Sequence, residues 1–143
     1  MATSGTATTS VASSPSSAPK VGSTLRITDP GYGAVILVTV SPPTPAQPSQ
    51  YATVKGTLQA VTVTIHTVSG TFGANPLYFS ARTAAGDSMN ADLGGTDNQL
   101  ATADVAAGQK LRGPVAFDVP KGQTIALIVM AAPFGSQMGT WTA

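Results

Sequence analysis

The side chain best suited to proton transfer is His66, the single histidine of the chain. A hydrolytic triad needs a nucleophile, a general base and an orienting acid within hydrogen-bonding reach of one another. Serines and aspartates are present, but no Gly-x-Ser-x-Gly motif surrounds any serine, and His66 falls inside a stretch that alternates like a β-strand. We therefore predict that His66 is a solvated histidine on a sheet surface and that the protein is not an enzyme.

The residues best suited to binding a cation are Asp87, Asp92 and Asp97, which recur every five residues in a glycine-containing segment. Calcium takes carboxylate and carbonyl oxygens from such loops, although the spacing of an EF-hand is absent. Aspartate is also a common turn residue, because its side chain bonds to nearby backbone groups. We predict a plain polar loop and no cofactor or metal, with a Ca²⁺ site at these three residues as the weaker alternative.

Arg82 and Asp118 carry opposite charges near the ends of two predicted strands. We predict that they form a structural ion pair, which contributes about 0–1 kcal/mol when exposed and fixes geometry more than stability. A ligand-facing role for the Arg82 side chain remains the alternative.

Two further segments, residues 34–40 and 124–131, are apolar on both faces of the strands they predict. The second faces must either be covered by other parts of the chain or contact a partner or a small apolar ligand. Aromatic residues near loops are suitable anchors for a partner. The candidates for this interaction surface are Tyr32, Tyr51, Tyr78 and Phe134.

These side chains are positioned by short β-branched runs that glycine and proline interrupt from Ser23 onward. The pattern predicts an all-β fold, an immunoglobulin-like antiparallel β-sandwich of about seven to eight strands. We expect the segment 41–50, with four prolines, to be a stiff exposed loop, and Trp141 to fill one end of the core. The predicted strands are about 24–28, 34–40, 54–68, 76–83, 99–105, 111–119 and 124–131, with an edge piece at 140–142.

Composition narrows the class of protein. The 143 residues include 7 Lys and Arg against 6 acidic residues, so the net charge of +1 gives no electrostatic case for binding nucleic acid or acidic lipid. Residues 1–22 are rich in Ser, Thr, Ala and Pro, which predicts a disordered tether ahead of a sandwich domain at 23–143. We expect a signal, lipid-attachment site or membrane span upstream of this tether.

Three stretches carry a resemblance to a known family. Residues 61–65 (VTVTI), 79–86 (FSARTAAG) and 115–122 (VAFDVPKG) occur in an order and spacing that resembles the telokin-like immunoglobulin-fold domain family. Members occur in a small secreted immunogenic protein of mycobacteria and on bacterial lipoproteins. The resemblance implies an extracytoplasmic β-sandwich of an actinobacterial envelope protein, and it provides no catalytic role for Arg82, Phe117 or Asp118.

The combined expectation is a non-enzymatic interaction or sensing module of a bacterial, and specifically mycobacterial, envelope or secreted protein. Its partner would be a protein of the envelope or the host, with no nucleic acid involved. Membrane association would come only from an anchor outside this sequence. The alternative function is a carrier of a small apolar ligand or lipid.

Overall fold

The structure is a computed structural model that describes residues 18–29, 33–50, 53–92, 95–131 and 137–143. These ranges contain eleven β-strands and one 3₁₀ turn at Pro76–Tyr78. The strands are β1 (Thr24–Thr28), β2 (Val35–Val40), β3 (Thr44–Pro45), β4 (Thr57–Ser69), β5 (Thr71–Ala74), β6 (Phe79–Thr83), β7 (Ser88–Asn90), β8 (Ala103–Ala106), β9 (Lys110–Val119), β10 (Ile125–Ala131) and β11 (Gln137–Thr142).

The first sheet is built around β4, the longest strand. β4 pairs antiparallel with β9 along one edge, and with β2 and β3 along the other, while β1 pairs with β2. Alternation along β4 buries Val61, Val63 and Ile65, as the sequence predicts, and leaves Thr62 and Thr64 half-buried on the opposite face. Period-two spacing therefore fixes which face of the sheet meets the core.

The second sheet has the antiparallel order β11-β10-β6-β7. β10 lies between β6 and β11, which agrees with its apolar residues on both faces. The predicted strand at 76–83 is shorter than expected, because Pro76 to Tyr78 form the 3₁₀ turn and β6 begins at Phe79. Proline suits the first position of such a turn, where its missing N–H leaves no bond unmade.

A corner at Gly70 joins β4 to β5, where the sequence predicts only a turn. β5 pairs with β8 and β4 pairs with β9, so both pairs belong to one long antiparallel ribbon with a one-residue shift in register between them. Gly70 has φ +73°, and a Cβ there would lie 3.2 Å from the Cα of Ala34. Any other residue at position 70 would be strained by the positive φ and would crowd Ala34, and glycine avoids both problems.

The core lies between the inner faces of the two sheets. Phe79, Phe117, Ile128 and Met130 are fully buried there. Trp141 on β11 is also fully buried, and its indole Nε1 donates to the carbonyl oxygen of Ser23 at 3.0 Å. The predicted all-β sandwich is thus confirmed.

Connecting segments cover the edges of the first sheet. The amides of Asp92 and Leu100 donate to carbonyl oxygens of Ala116 and Pro114, so the chain between β7 and β8 follows the free edge of β9. The segment 41–50 is mostly exposed, as predicted, but it is not only a loop, because β3 pairs with β4 and the amide of Ala46 donates to the carbonyl of Leu58. An edge strand tolerates proline where the missing donor faces away from the ladder.

The folded domain begins before the predicted boundary at residue 23. The amide of Val21 donates to Thr142, the amide of Thr142 donates to Pro19, and the amide of Gly22 donates to Val40. These bonds connect the segment 19–22 to β11 in one sheet and β2 in the other. The part of the predicted tether at residues 1–17 lies outside the described residues.

Candidate functional site

An open cleft lies beside the ribbon formed by β5 and β8. Its volume is about 290 Å³. One wall comes from β5 and the 3₁₀ turn, and the other from the start of β8. The lining residues are Gly73, Ala74, Asn75, Tyr78, Thr102, Ala103 and Asp104.

The 3₁₀ turn that forms one wall is held by local hydrogen bonds. The side-chain Oδ1 of Asn75 accepts from the amide of Leu77 at 2.9 Å, and the carbonyl of Asn75 accepts from the amide of Tyr78 at 3.1 Å. Pro76 is buried beneath the turn. These bonds fix the backbone on both sides of Leu77, and the Leu77 side chain extends from this turn into solvent.

Tyr78 lines the cleft, and Leu77 is its neighbour in the 3₁₀ turn. Leu77 is 56% exposed, and Tyr78 is half-buried with its ring edge-to-face against Phe72 at a centroid separation of 6.3 Å. An edge-to-face pair orients both rings, so Tyr78 is held before any ligand arrives. Of the four predicted interaction aromatics, Tyr78 is the one described here. Tyr32, Tyr51 and Phe134 lie outside the described residues.

The predicted ion pair between Arg82 and Asp118 is wrong for the part of the chain that the structure describes. Asp118 on β9 accepts from the backbone amides of Lys55 and Gly56, each at 2.8 Å. Arg82 is exposed on β6 in the other sheet, opposite Leu127 on β10 and Ser88 on β7. Two amide donors satisfy the two carboxylate oxygens, so Asp118 fastens the start of β4 to the end of β9.

The three candidate metal ligands are engaged in turns. The amide of Asp87 donates to the hydroxyl of Thr83 at 3.1 Å within the connection from β6 to β7, and the carbonyl of Asp92 accepts from the amide of Gly95. Asp97 is exposed in the following turn. Across the described ranges, no group of three or more His, Cys, Asp or Glu is placed to hold a metal ion.

His66 lies in β4 on the face directed away from the core. Its neighbours in the ladder are Leu37 on β2 and Lys110 on β9. The side chain is half-buried. The structure thus places the histidine on a sheet surface, between an apolar and a basic neighbour.

The second faces of β2 and β10 are partly covered. Val35 and Leu37 on β2, and Leu127 on β10, are half-buried. In the described part of the chain, the large hydrophobic side chains that are exposed are Val68 and Leu77. The sequence analysis did not single out Leu77 as an exposed apolar residue, although its position after Asn75-Pro76 was a signal for a turn.

The fold and these surfaces define an immunoglobulin-like antiparallel β-sandwich. The chain belongs to the family described as Domain of unknown function (DUF1942), which matches residues 16–140. No curated protein matches the chain. None of the described segments is a helix of the length and apolarity needed to cross a membrane.

Solved structures share the fold. The secreted protein MPT63 of Mycobacterium tuberculosis has a TM-score of 0.75 and 24% sequence identity, over 89% of this chain and 99% of that one. The candidate lipoprotein ycdA of Bacillus subtilis has a TM-score of 0.64 and 14% sequence identity, and the match covers 87% of this chain and 38% of ycdA. The yjhA protein of the same species has a TM-score of 0.59 and 18% sequence identity, and the match covers 83% of this chain and 85% of yjhA. The predicted resemblance is confirmed for the fold.

Proposed function

We propose that the chain is a non-enzymatic, extracytoplasmic interaction module that binds a protein partner of the envelope through the cleft beside Tyr78. The observation that carries this proposal is Leu77, which is 56% exposed on a hydrogen-bonded turn, next in sequence to Tyr78 of the cleft lining. Because the backbone of the turn is already ordered, binding here does not pay the cost of ordering a loop.

The size and lining of the cleft suit part of a polypeptide. A volume of about 290 Å³ is at the lower end of small-molecule pockets and accommodates one or two side chains. Asn75 and Asp104 supply polar groups beside the ring of Tyr78 in the lining, and the exposed Leu77 precedes Tyr78 in the turn. An apolar anchor beside a few hydrogen-bonding groups is typical of the centre of a protein–protein interface.

Location outside the cytoplasm is supported by the structural relatives. MPT63 is a secreted protein and ycdA is a candidate lipoprotein. Their likeness to this chain is a likeness of fold, so for this chain the location belongs to the proposal. It agrees with the sequence-based expectation of an envelope or secreted protein.

The rival function, carriage of a small apolar ligand or lipid, has less support. A carrier needs a largely apolar cavity that removes most of the ligand from water. The cleft is open and includes Asn75, Thr102 and Asp104 in its lining.

Site-specific photo-crosslinking in the producing cells tests the proposal. We expect a crosslinking residue at position 77 to give one discrete protein adduct, and the same residue at Val68, which is 40% exposed on β4, to give none. Purified protein should compete for the adduct, and Leu77→Ser should compete at least about tenfold less well, as expected for an anchor residue. Identical adducts at both positions, or undiminished competition by Leu77→Ser, would contradict the assigned site.

A further inference from the structure

The outer face of the first sheet collects basic side chains from strands that are distant in sequence. Arg26 on β1, Leu37 on β2, His66 on β4 and Lys110 on β9 are consecutive partners across the ladder. Partners directly opposite in antiparallel strands share a face of the sheet. Arg112, two residues after Lys110, lies on the same face in the next row. We call Arg26, His66, Lys110 and Arg112 the basic face.

The net charge of the chain does not reveal this cluster of basic residues. Three of the seven Lys and Arg residues belong to the basic face, although the net charge of the chain is only +1. Arg26, Lys110 and Arg112 are exposed, and within the described residues none of them forms an ion pair. Their charges are therefore free to act on a ligand in solution.

The acidic residues Asp118, Asp29 and Asp104 lie outside these two rows. Asp118 is on the same face but six residues beyond Arg112, roughly 20 Å along β9, and its oxygens accept from two backbone amides. Asp29 follows the end of β1, and Asp104 lines the cleft beyond the corner at Gly70. Because the Debye length is about 8 Å at physiological salt, Asp118 has little effect at the basic face.

The spacing of the cations indicates a ligand with several negative charges. Lys110 and Arg112 are separated by two residues, roughly 7 Å, and Lys110 and Arg26 by three strand spacings, roughly 14 Å. A single phosphate or carboxylate group is too small to meet all three. An extended polyanion lying across the flat sheet meets them together.

The remaining side chains of these rows favour a polysaccharide over a membrane. They are the half-buried Leu37 and the threonines Thr24, Thr39 and Thr64, with no Phe, Trp or Tyr, and the hydroxyls of Thr24 and Thr39 are hydrogen-bonded to each other. A face that enters a lipid interface needs large apolar or aromatic side chains, whereas hydroxyls suit the hydroxyl groups of sugars. We propose that the basic face binds a linear anionic polysaccharide.

Dextran sulfate is the probe, with neutral dextran of the same length as its counterpart. We expect the full chain to bind dextran sulfate and not neutral dextran, with affinity that falls as the salt concentration rises. An exposed ion pair contributes roughly two- to fivefold to affinity. The triple variant Arg26→Gln, Lys110→Gln, Arg112→Gln should therefore lose about tenfold or more.

The matched control removes three positive charges elsewhere. Lys55→Gln, Arg82→Gln, Lys121→Gln should change the affinity less than about threefold, and both triple variants should keep the circular dichroism spectrum of the parent. An equal loss in the control variant would mean that binding follows net charge alone and would overturn the proposal. Tighter binding to phosphatidylglycerol vesicles, or full displacement by dilute inorganic phosphate, would also overturn it.

This surface is separate from the cleft beside Tyr78. Leu77→Ser should leave dextran sulfate binding unchanged, and the basic-face variant should leave the adduct at position 77 unchanged. Failure of one proposal is therefore distinguishable from failure of the other.

Discussion

Among individual side chains, Asp118 connects two parts of the chain that are more than sixty residues apart. Its two carboxylate oxygens accept from the amides of Lys55 and Gly56 at 2.8 Å. A hydrogen bond to a charged group contributes about 1.5–3 kcal/mol. Removing the acceptor leaves the partly buried amide of Gly56 without its partner, whereas the exposed amide of Lys55 can bond to water. The carboxylate thus connects the segment before β4 to the end of β9.

We predict that Asp118→Ala lowers the free energy of unfolding by about 2–4 kcal/mol, because both bonds are lost at once. Asp118→Asn keeps an acceptor oxygen for one amide and should lose about half as much. Urea denaturation followed by tryptophan fluorescence measures both, since Trp141 is the single tryptophan and is fully buried.

Arg82→Ala and Asp97→Ala are the controls for this prediction. Both residues are exposed, and we expect each substitution to change stability by less than about 0.5 kcal/mol. If Arg82→Ala proved as destabilising as Asp118→Ala, the two residues would be coupled and the backbone-fastening role would be wrong.

Among the strands, β9 has one edge that pairs with no other strand, and the segment between β7 and β8 covers this edge. The amide of Leu100 donates to Pro114 at 2.8 Å, and Leu100 is buried in the core. The segment approaches β9 so closely that a Cβ on Gly113 would lie 2.7 Å from the Cα of Leu100. The backbone of Leu100 therefore leaves no room for a side chain at position 113.

We predict that Gly113→Ala destabilises the protein by about 1–3 kcal/mol, because the added methyl group must displace the backbone at Leu100. Gly73→Ala on β5 is the matched control. Its Cβ would meet only Asp104 Oδ1 at 3.5 Å, an ordinary contact, so this substitution should be neutral or slightly stabilising. Equal thermal midpoints for Gly113→Ala and the parent would show that the segment does not press on β9.

The strands that sequence predicts correctly are those with a strong internal pattern. β2, β4, β9 and β10 have long apolar or alternating runs, so their existence and inner faces follow from residue types alone. β3, β5 and β7 have two to four residues each, and they exist because a partner strand lies beside them. Such pairing depends on the fold, so it cannot be predicted from the spacing of residues within these short strands.

The candidate site divides in the same way. Tyr78 could be identified as an aromatic residue near a turn, but the cleft beside it needs β5 and β8 to be paired. Opposite charges suggested an ion pair between Arg82 and Asp118, but the groups that donate to the Asp118 carboxylate are two backbone amides. Every residue except proline has a backbone amide, so residue types alone do not identify these donors. The basic face likewise arises only when β1, β4 and β9 are placed in one sheet.

In the complete sandwich, the segment 19–22 crosses from one sheet to the other. It bonds to Thr142 on β11 through Pro19 and Val21, and to Val40 on β2 through Gly22. Lys20 forms a parallel bridge with Thr142. Together with the bond from the amide of Asp92, after β7, to the carbonyl of Ala116 on β9, these bonds connect the two sheets through the backbone.

Two truncated chains distinguish the contribution of residues 19–22 to stability from that of the residues before them. We predict that a chain beginning at Ala18 is as stable as the full chain, whereas one beginning at Ser23 is less stable by about 2–4 kcal/mol. The loss corresponds to the three backbone hydrogen bonds made by Pro19, Val21 and Gly22, at about 0.5–1.5 kcal/mol each. Both truncated chains keep the bond from Trp141 to the carbonyl of Ser23. The decisive measurement is the urea midpoint, because coincident midpoints for the two truncations would mean that the segment lies on the sandwich without stabilising it.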